Sequence, residues 1–366
     1  MPWDVNTVNS RREEFVKFAR LEGANVSQLC RRFGVSRKTG YKWLGRPCLE
    51  DLSRRPKASP GKTPAGVEAR ILAAAAEHPA WGGRKIRAWL LSKGVPAPAA
   101  STVVAVLRRH GVLRQAPELA GPWRRFEHAA PNDLWQTDFK GHFALRDGSR
   151  CHPLTVLDDC SRFALTVRAC PDERAPTVRA GLEAAFRRYG LPWAVLCDNG
   201  PPWGGALTGI EVWLMRCGVE TWHGRPYHPQ TQGKLERFHR TLKAEALQGR
   251  TFDGLQECQR ELDRFRDCYN MERPHEALGM DVPVQRYRPS EREFDGTLLL
   301  PEYPGEYAVR KVQQGGGLYY KGRVLSVPKS LAGLPVGVRH LDEHVVEVRF
   351  FAKVLDTIDL EDYPKV

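Results

Sequence analysis

The chain has 366 residues, 42% of them apolar, and a formal net charge of +13, which predicts more than one packed domain and a polyanionic partner. No apolar run approaches the ~18–20 residues of a membrane span, and the start, Met1-Pro2-Trp3-Asp4, lacks a basic-then-apolar leader pattern; the expectation is a cytoplasmic, nucleoid-associated protein with no membrane partner. Nine cysteines occur without a Cys-x-x-Cys pair, which argues against a disulfide framework or a zinc knuckle.

The charge is unevenly placed. Residues 1–115 hold 22 Lys and Arg against 8 Asp and Glu, an excess of 14, whereas the other 251 residues hold 34 against 35. A polyanion-binding front end attached to a near-neutral body is the simplest account.

Residues 1–46 read as a helix-turn-helix domain. Phe15, Phe18, Ala19 and Leu21 make an apolar stripe that ends near Gly23. Ser27 is expected to cap a short second helix with Leu29, Cys30 and Phe33; Gly34-Val35 turns the chain, and Ser36 caps a third. In such modules the last helix enters the major groove, which nominates Arg37, Lys38 and Lys42 for DNA contact. Residues 47–65, with Arg54-Arg55-Pro56-Lys57 and Pro60-Gly61-Lys62, read as a basic linker. Residues 66–115 repeat the trihelical plan: Val67, Ile71 and Leu72, then Ile86, Trp89 and Leu90, then Val103, Val106 and Leu107 on buried sides, with Arg108 and Arg109 closing the last helix as further DNA-contact candidates. Residues 116–130 form a second linker.

From residue 131 to 290 the pattern becomes α/β. Strands are expected at 133–143, 150–158, 162–168, 193–197 and 219–222, and helices at 174–189, 206–217, 231–248 and 253–270. Residues 296–366 revert to short strands, Tyr307–Val312, Leu318–Val327, Val336–Leu341, Val345–Phe350 and Lys353–Leu360, and read as a small β-barrel or sandwich. The predicted fold is therefore multidomain: two N-terminal all-α helix-turn-helix units, a central α/β core and a small all-β C-terminal domain.

Within the core three carboxylates stand in distinctive settings: Asp138 in Trp135-Gln136-Thr137-Asp138-Phe139, Asp198 in Leu196-Cys197-Asp198-Asn199-Gly200, and Glu236 in Gln232-Gly233-Lys234-Leu235-Glu236-Arg237. Hard oxygen donors suit Mg²⁺, and a two-ion site needs a bridging carboxylate flanked by others; Asp138 on a central strand suits the bridge, Asp198 the end of a neighbouring strand, and Glu236 a helix packed beside both. Along that helix Leu235, Phe238, Leu242 and Ala246 form an apolar stripe, while Glu236, Arg240 and Lys243 form an adjacent polar one. Lys234, Arg240 and Lys243 are thus candidates to hold a DNA backbone next to the carboxylates. Asp158 and Asp159, the rival acids, read as a structural hairpin turn. His239 reads as a hydrogen-bonded structural residue, Trp203 as packing, and Arg273-Pro274-His275 as packing and charge pairing.

Leu134–Lys140, Gly190–Gly200, Tyr227–Lys243 and Tyr269–Gly279 resemble the integrase-core transposases of bacterial insertion sequences, within the retroviral-integrase superfamily. Asp138, Asp198 and Glu236 fall on that group's Asp-Asp-Glu triad, at intervals of 60 and 38 residues, and Lys243 falls on the basic residue that such enzymes use on DNA. The resemblance implies a ribonuclease-H-like core, two Mg²⁺ ions (or Mn²⁺), double-stranded DNA as partner in the form of element ends and target, a homo-oligomer on DNA and no small-molecule substrate. It extends from the helical units to about Tyr287. The His-His-Cys-Cys zinc site of retroviral relatives has no counterpart here. A non-catalytic DNA-binding regulator is the other class compatible with a basic front end, but it gives no reason for three intact carboxylates.

Overall fold

The computed structural model describes residues 8–51, 61–113, 127–205, 207–224 and 233–365. The chain divides into two compact units, one ending at Lys62 and one beginning at Thr63. Most of the second expected linker, and much of the first, lie outside the described residues.

The first unit packs three helices, α1 (Val8–Ala19), α2 (Val26–Arg32) and α3 (Arg37–Leu44), around buried Phe15, Val16, Cys30 and Trp43. Leu21 lies past the end of α1 and is exposed, so the first stripe is one residue shorter than the sequence suggests. Ser36 caps α3 by accepting from the Thr39 N–H at 3.1 Å. The cap of α2 is Asn25, which accepts from the Gln28 N–H, and not Ser27; the helix opens two residues earlier, at Val26, and Asn is the equal of Ser in that role. Gly40 lets α3 approach closely, because a Cβ there would come within 2.5 Å of the Cys30 Sγ and 2.9 Å of the Phe15 ring.

In the second unit α4 (Ala65–Glu77), α5 (Gly83–Ser92) and α6 (Ala100–Arg109) close around Ile71, Ile86, Leu90, Val103, Val106 and Leu107, the faces expected from the sequence. Cys268 of the following core packs against this cluster, and the Lys93 ammonium lies 3.9 Å from the Glu272 carboxylate. These helices consequently belong to the same compact unit as the core.

The core is a six-stranded mixed sheet of β1 (Leu134–Phe139), β2 (Phe143–Ala144), β3 (Arg150–Asp158), β4 (Ala164–Cys170), β5 (Ala194–Cys197) and β6 (Glu220–His223). β1, β3 and β4 are antiparallel neighbours, while β1, β5 and β6 run parallel; the parallel joins pass through the crossover helices α7 (Ala175–Tyr189) and α8 (Gly209–Arg216). These two helices bury Trp135, Leu154, Val156, Phe186 and Trp213 on one face of the sheet. α9 (Gly233–Leu242) and α10 (Leu255–Met271) bury Leu157, Val167, Leu235, Phe238, Leu262 and Phe265 on the other. The expected long helix over 231–248 is α9 followed by a π-helical turn, Lys243–Leu247. A short helix, α11 (Pro283–Arg286), ends the core.

The C-terminal strands β7 (Ala308–Lys311), β10 (Pro335–His340), β11 (Val345–Phe350) and β12 (Lys353–Asp359) make a four-stranded sheet, and β8 (Gly317–Tyr320) with β9 (Arg323–Ser326) a hairpin. The single strand expected over Leu318–Val327 folds back on itself, because Lys321 and Gly322 both take positive φ, 47° and 74°, the requirement of a two-residue hairpin turn. Both sheets share one apolar core, into which α8 inserts Val212.

Candidate active site

Strand alternation and register bring two of the three carboxylates together. β1 pairs β5 in parallel with Gln136 opposite Leu196, and two further steps along each strand place Asp138 opposite Asp198. Trp135 and Cys197 point into the α7–α8 core, so their neighbours of opposite parity, Gln136, Asp138 and Asp198, project from the other face. That is the α9 face: Thr155, the β3 partner of Asp138, hydrogen-bonds His239 of α9 at 2.8 Å.

The electrostatics reflect this crowding. Burial, and then the neighbouring Asp198 carboxylate, push the Asp138 carboxyl up to about 7. Burial likewise raises Asp198. Two carboxyls held together without a cation between them resist ionisation, and a divalent ion would reverse that resistance. Oxygen donors of this kind fit Mg²⁺ or Mn²⁺.

Asp198 is held by its signature. Gly200 lies under its carboxylate: a Cβ on Gly200 would sit 2.9 Å from the Asp198 Oδ2. The Asn199 amide donates to the Gly224 carbonyl at 2.8 Å, tying the loop after β5 to the end of β6. His223 adds a brace, with Nε2 2.9 Å from the Glu211 Oε1 and Nδ1 3.3 Å from the Asp198 carbonyl oxygen. Glu211 is fixed in turn by a capping box with Thr208 at the start of α8. Neither Glu211 nor His223 stands out in the sequence; the Thr-x-x-Glu spacing at Thr208–Glu211 is the signal that marks the first of them.

Glu236 occupies the exposed first turn of α9. One turn on, His239 places its Nδ1 3.9 Å from the Asp138 Oδ2, which puts Glu236 on the turn adjoining the aspartates. The three carboxylates do not close to within 4.8 Å of one another among the described residues; the group that does is His142, His152 and Glu173. His228, Gln230 and Gln232, just before α9, lie outside the described residues.

The family profile described as "Integrase core domain" matches residues 128–229, and a second of the same description matches 217–283. A "Homeodomain-like domain" profile matches residues 26–107. The uncharacterized 31.7 kDa protein of insertion element IS407 from Burkholderia multivorans is 27% identical over 276 residues, 72% of this chain and 91% of that protein. Transposase InsD of insertion element IS2D from Escherichia coli is 26% identical over 231 residues, 58% of this chain and 75% of its own length. The chain thus carries an integrase core domain and, over most of its length, is similar to proteins of bacterial insertion elements. Among solved structures, the catalytic core domain of BIV integrase is 26% identical with a TM-score of 0.33, covering 43% of this chain and 93% of that one.

The basic residues of this chain separate into paired and open ones. Arg37, Lys38 and Lys42 are exposed on α3, opposite buried Gly40 and Trp43. Arg108 is exposed, whereas Arg109 is bound to Glu68, which also lies 3.2 Å from His110. Arg240 and Lys243 are exposed beyond Glu236, Lys243 at the start of the π-helical turn. Such turns recur beside functional sites. Lys234 is partly buried; its ammonium lies against the Asp159 carboxylate and the Asp159 carbonyl oxygen. Asp158 and Asp159, both fully buried, clamp the chain. Asp158 accepts from the N–H groups of Asn132 and Ser161, and Asp159 from the His128 N–H and the Gln136 amide. Trp203 is buried in the α7–α8 core. Arg273 pairs with Glu245 at 2.9 Å, inside the protein.

Proposed function

We propose that the protein is the transposase of an insertion sequence, binding the ends of its element and catalysing cleavage and strand transfer through Asp138, Asp198 and Glu236. The observation that supports this reading is the alignment of Asp138 with Asp198 on one face of the sheet, with His239 of α9 beside Asp138 and Glu236 one turn before it on the same helix. When bound by these carboxylates, a pair of Mg²⁺ or Mn²⁺ ions would supply the charge stabilisation for phosphodiester exchange.

The remaining work falls to the chain's own side chains. The exposed face of α3, and Arg108 on α6, bind the ends. Arg240 and Lys243 hold the phosphate backbone next to the carboxylates, while Lys234 anchors the first turn of α9 and so fixes Glu236. Two displacements at phosphorus follow. A water oxygen first bonds to the phosphorus at the element's end, breaking its bond to the 3′ oxygen and freeing a 3′-hydroxyl. That hydroxyl then bonds to a target phosphorus, breaking the target's own P–O3′ bond. One phosphodiester replaces another, so the transfer needs no external energy source and no covalent enzyme intermediate. Duplex ends and target DNA are the partners, with the protein acting as a homo-oligomer.

The test is incubation of purified protein with DNA carrying the element's ends, with Mg²⁺ or Mn²⁺. Asp138→Asn, Asp198→Asn and Glu236→Gln should each abolish end joining and leave end binding intact. Full joining by any one of them removes that residue from the site.

A further inference from the structure

His142, His152 and Glu173 lie outside the triad and outside any role given above, yet their ligand atoms all fall within 4.8 Å of one another. Each comes from a different segment: β2 pairs β3 with Phe143 opposite Cys151, so one step back His142 stands opposite His152 across the strand pair. The two rings are 5.2 Å apart. Glu173, in the connection from β4 to α7, has its Oε1 2.8 Å from the His152 Nδ1. Cross-strand partners have Cβ atoms about 4.5–5.5 Å apart, the spacing at which two imidazoles converge on one ion.

We propose that His142, His152 and Glu173 form a transition-metal site, selective for Zn²⁺ over Mg²⁺, that ties the β2–β3 pair to the β4–α7 connection. Two imidazoles and one carboxylate make a borderline-soft donor set, whereas Mg²⁺ takes oxygen donors and gives up water reluctantly. Ligands about 2.1 Å from a tetrahedral zinc are roughly 3.4 Å apart, so closing the cluster takes side-chain rotation of about 1 Å or a little more. His142 is exposed and can make that movement; His152 and Glu173 are half-buried and already joined. Three protein ligands leave the fourth position to water. One neighbour competes: the Arg150 guanidinium lies 2.9 Å from the His142 Nε2. It too is exposed, and swinging out into water costs it little. The negative charge of Glu173 is felt at both Asp138 and Asp198, so an ion held here is within electrostatic reach of the catalytic pair.

Calorimetric titration of ZnCl₂ into the full-length Asp138→Asn/Glu236→Gln protein tests the site separately from the triad and from any DNA chemistry. One Zn²⁺ should bind per chain and resist millimolar Mg²⁺. Adding His142→Ala, His152→Ala or Glu173→Gln should each weaken it by about tenfold or more, while Arg150→Ala tightens it. Substitution by Co²⁺ should give tetrahedral d–d bands without thiolate charge transfer, which separates this site from the cysteines. Because His142 is exposed, His142→Ala keeps the fold, and an unchanged melting temperature in the absence of metal verifies it. Zn²⁺ binding of unchanged affinity in His142→Ala/His152→Ala, or a cobalt spectrum with thiolate bands, overturns the proposal.

Discussion

His239 reaches from α9 to the base of the strand that carries Asp138: its Nδ1 lies 3.9 Å from the Asp138 Oδ2, and its Nε2 lies 2.8 Å from the Thr155 Oγ1. The Thr155 hydroxyl donates its proton to the Asp138 carbonyl oxygen, so it accepts from Nε2–H, and the tautomer follows from that bond. The Nδ1 lone pair then faces Asp138. Burial, and then Lys140, hold the imidazole down at about 4, so the ring is neutral at working pH. We read its role as fixing the backbone of β1 at Asp138 against α9 through the Thr155 hydroxyl. His239→Ala should lower end joining by about 10–100-fold, the usual scale for residues that orient ligands, with end binding unchanged. His239→Gln keeps a donor near Nε2 and should recover part of the loss. Equal activity for all three proteins in a strand-transfer assay rules the role out.

The glycine of Asp198-Asn199-Gly200 is explained by space. A methyl group on Gly200 would stand 2.9 Å from the Asp198 Oδ2, inside any normal contact, and the carboxylate would have to swing away from Asp138. Gly200→Ala should therefore cut joining by at least about tenfold at unchanged thermal stability and DNA affinity, as a misplacement near the chemistry does. Gly204→Ala is a different lesion: its Cβ would meet the Asn199 backbone oxygen at 2.1 Å, and it should lower the melting temperature as well. Normal joining by Gly200→Ala shows that the carboxylate has another place to sit.

These two sites show what was legible in the sequence. Period-two and period-3.6 patterning placed β1, β5 and α9 with the right faces, since burial dictates those periods: Leu235, Phe238, Leu242 and Ala246 are all buried, and Glu236, Arg240 and Lys243 are not. The bracing of Asp198 by His223 and Glu211 was not legible, because it joins β6 to α8 through side chains whose proximity depends on how the crossover closes. The β8–β9 turn was hidden for a local reason: Lys321 takes a positive φ that few non-glycine residues adopt. The grouping of the second trihelical domain with the core rests on Cys268 and the Lys93–Glu272 pair, and packing of that kind carries no periodic signature.

Asp159 and Lys234 give a stability prediction. Asp159 is fully buried and Lys234 partly so, and their charges meet directly. Removing one partner of such a pair leaves the other uncompensated, which costs on the order of 3–5 kcal/mol. Asp159→Ala should cost that much in chemical denaturation, since the Gln136 amide, the His128 N–H and Lys234 all lose their acceptor. Lys234→Met should cost less, because Asp159 keeps its other two donors. If Lys234→Met instead weakens DNA binding at unchanged stability, Lys234 acts on DNA and not as an anchor.

The exposed cations of α3 make a quantitative claim about DNA. Each phosphate neutralised by a side chain releases condensed counterions, so removing one such cation flattens the slope of log affinity against log salt by about 0.9. Arg37, Lys38 and Lys42 point outward from a helix whose other face is locked by Gly40 and Trp43, with Lys42 also lying 5.4 Å over the Trp43 ring. A residue that touches only phosphate should, on change to Ala, weaken binding to every duplex alike and flatten the slope by about 1. One that reads a base edge should weaken binding to the element's ends by about 1–3 kcal/mol more than to unrelated DNA. Arg109 is the internal control: its charge is already matched by Glu68, so Arg109→Ala should leave the slope unchanged while lowering the stability of the second helical domain. Salt titrations of end binding by fluorescence anisotropy separate these outcomes, and an unchanged slope in an Arg37→Ala/Lys38→Ala protein removes α3 from the DNA interface.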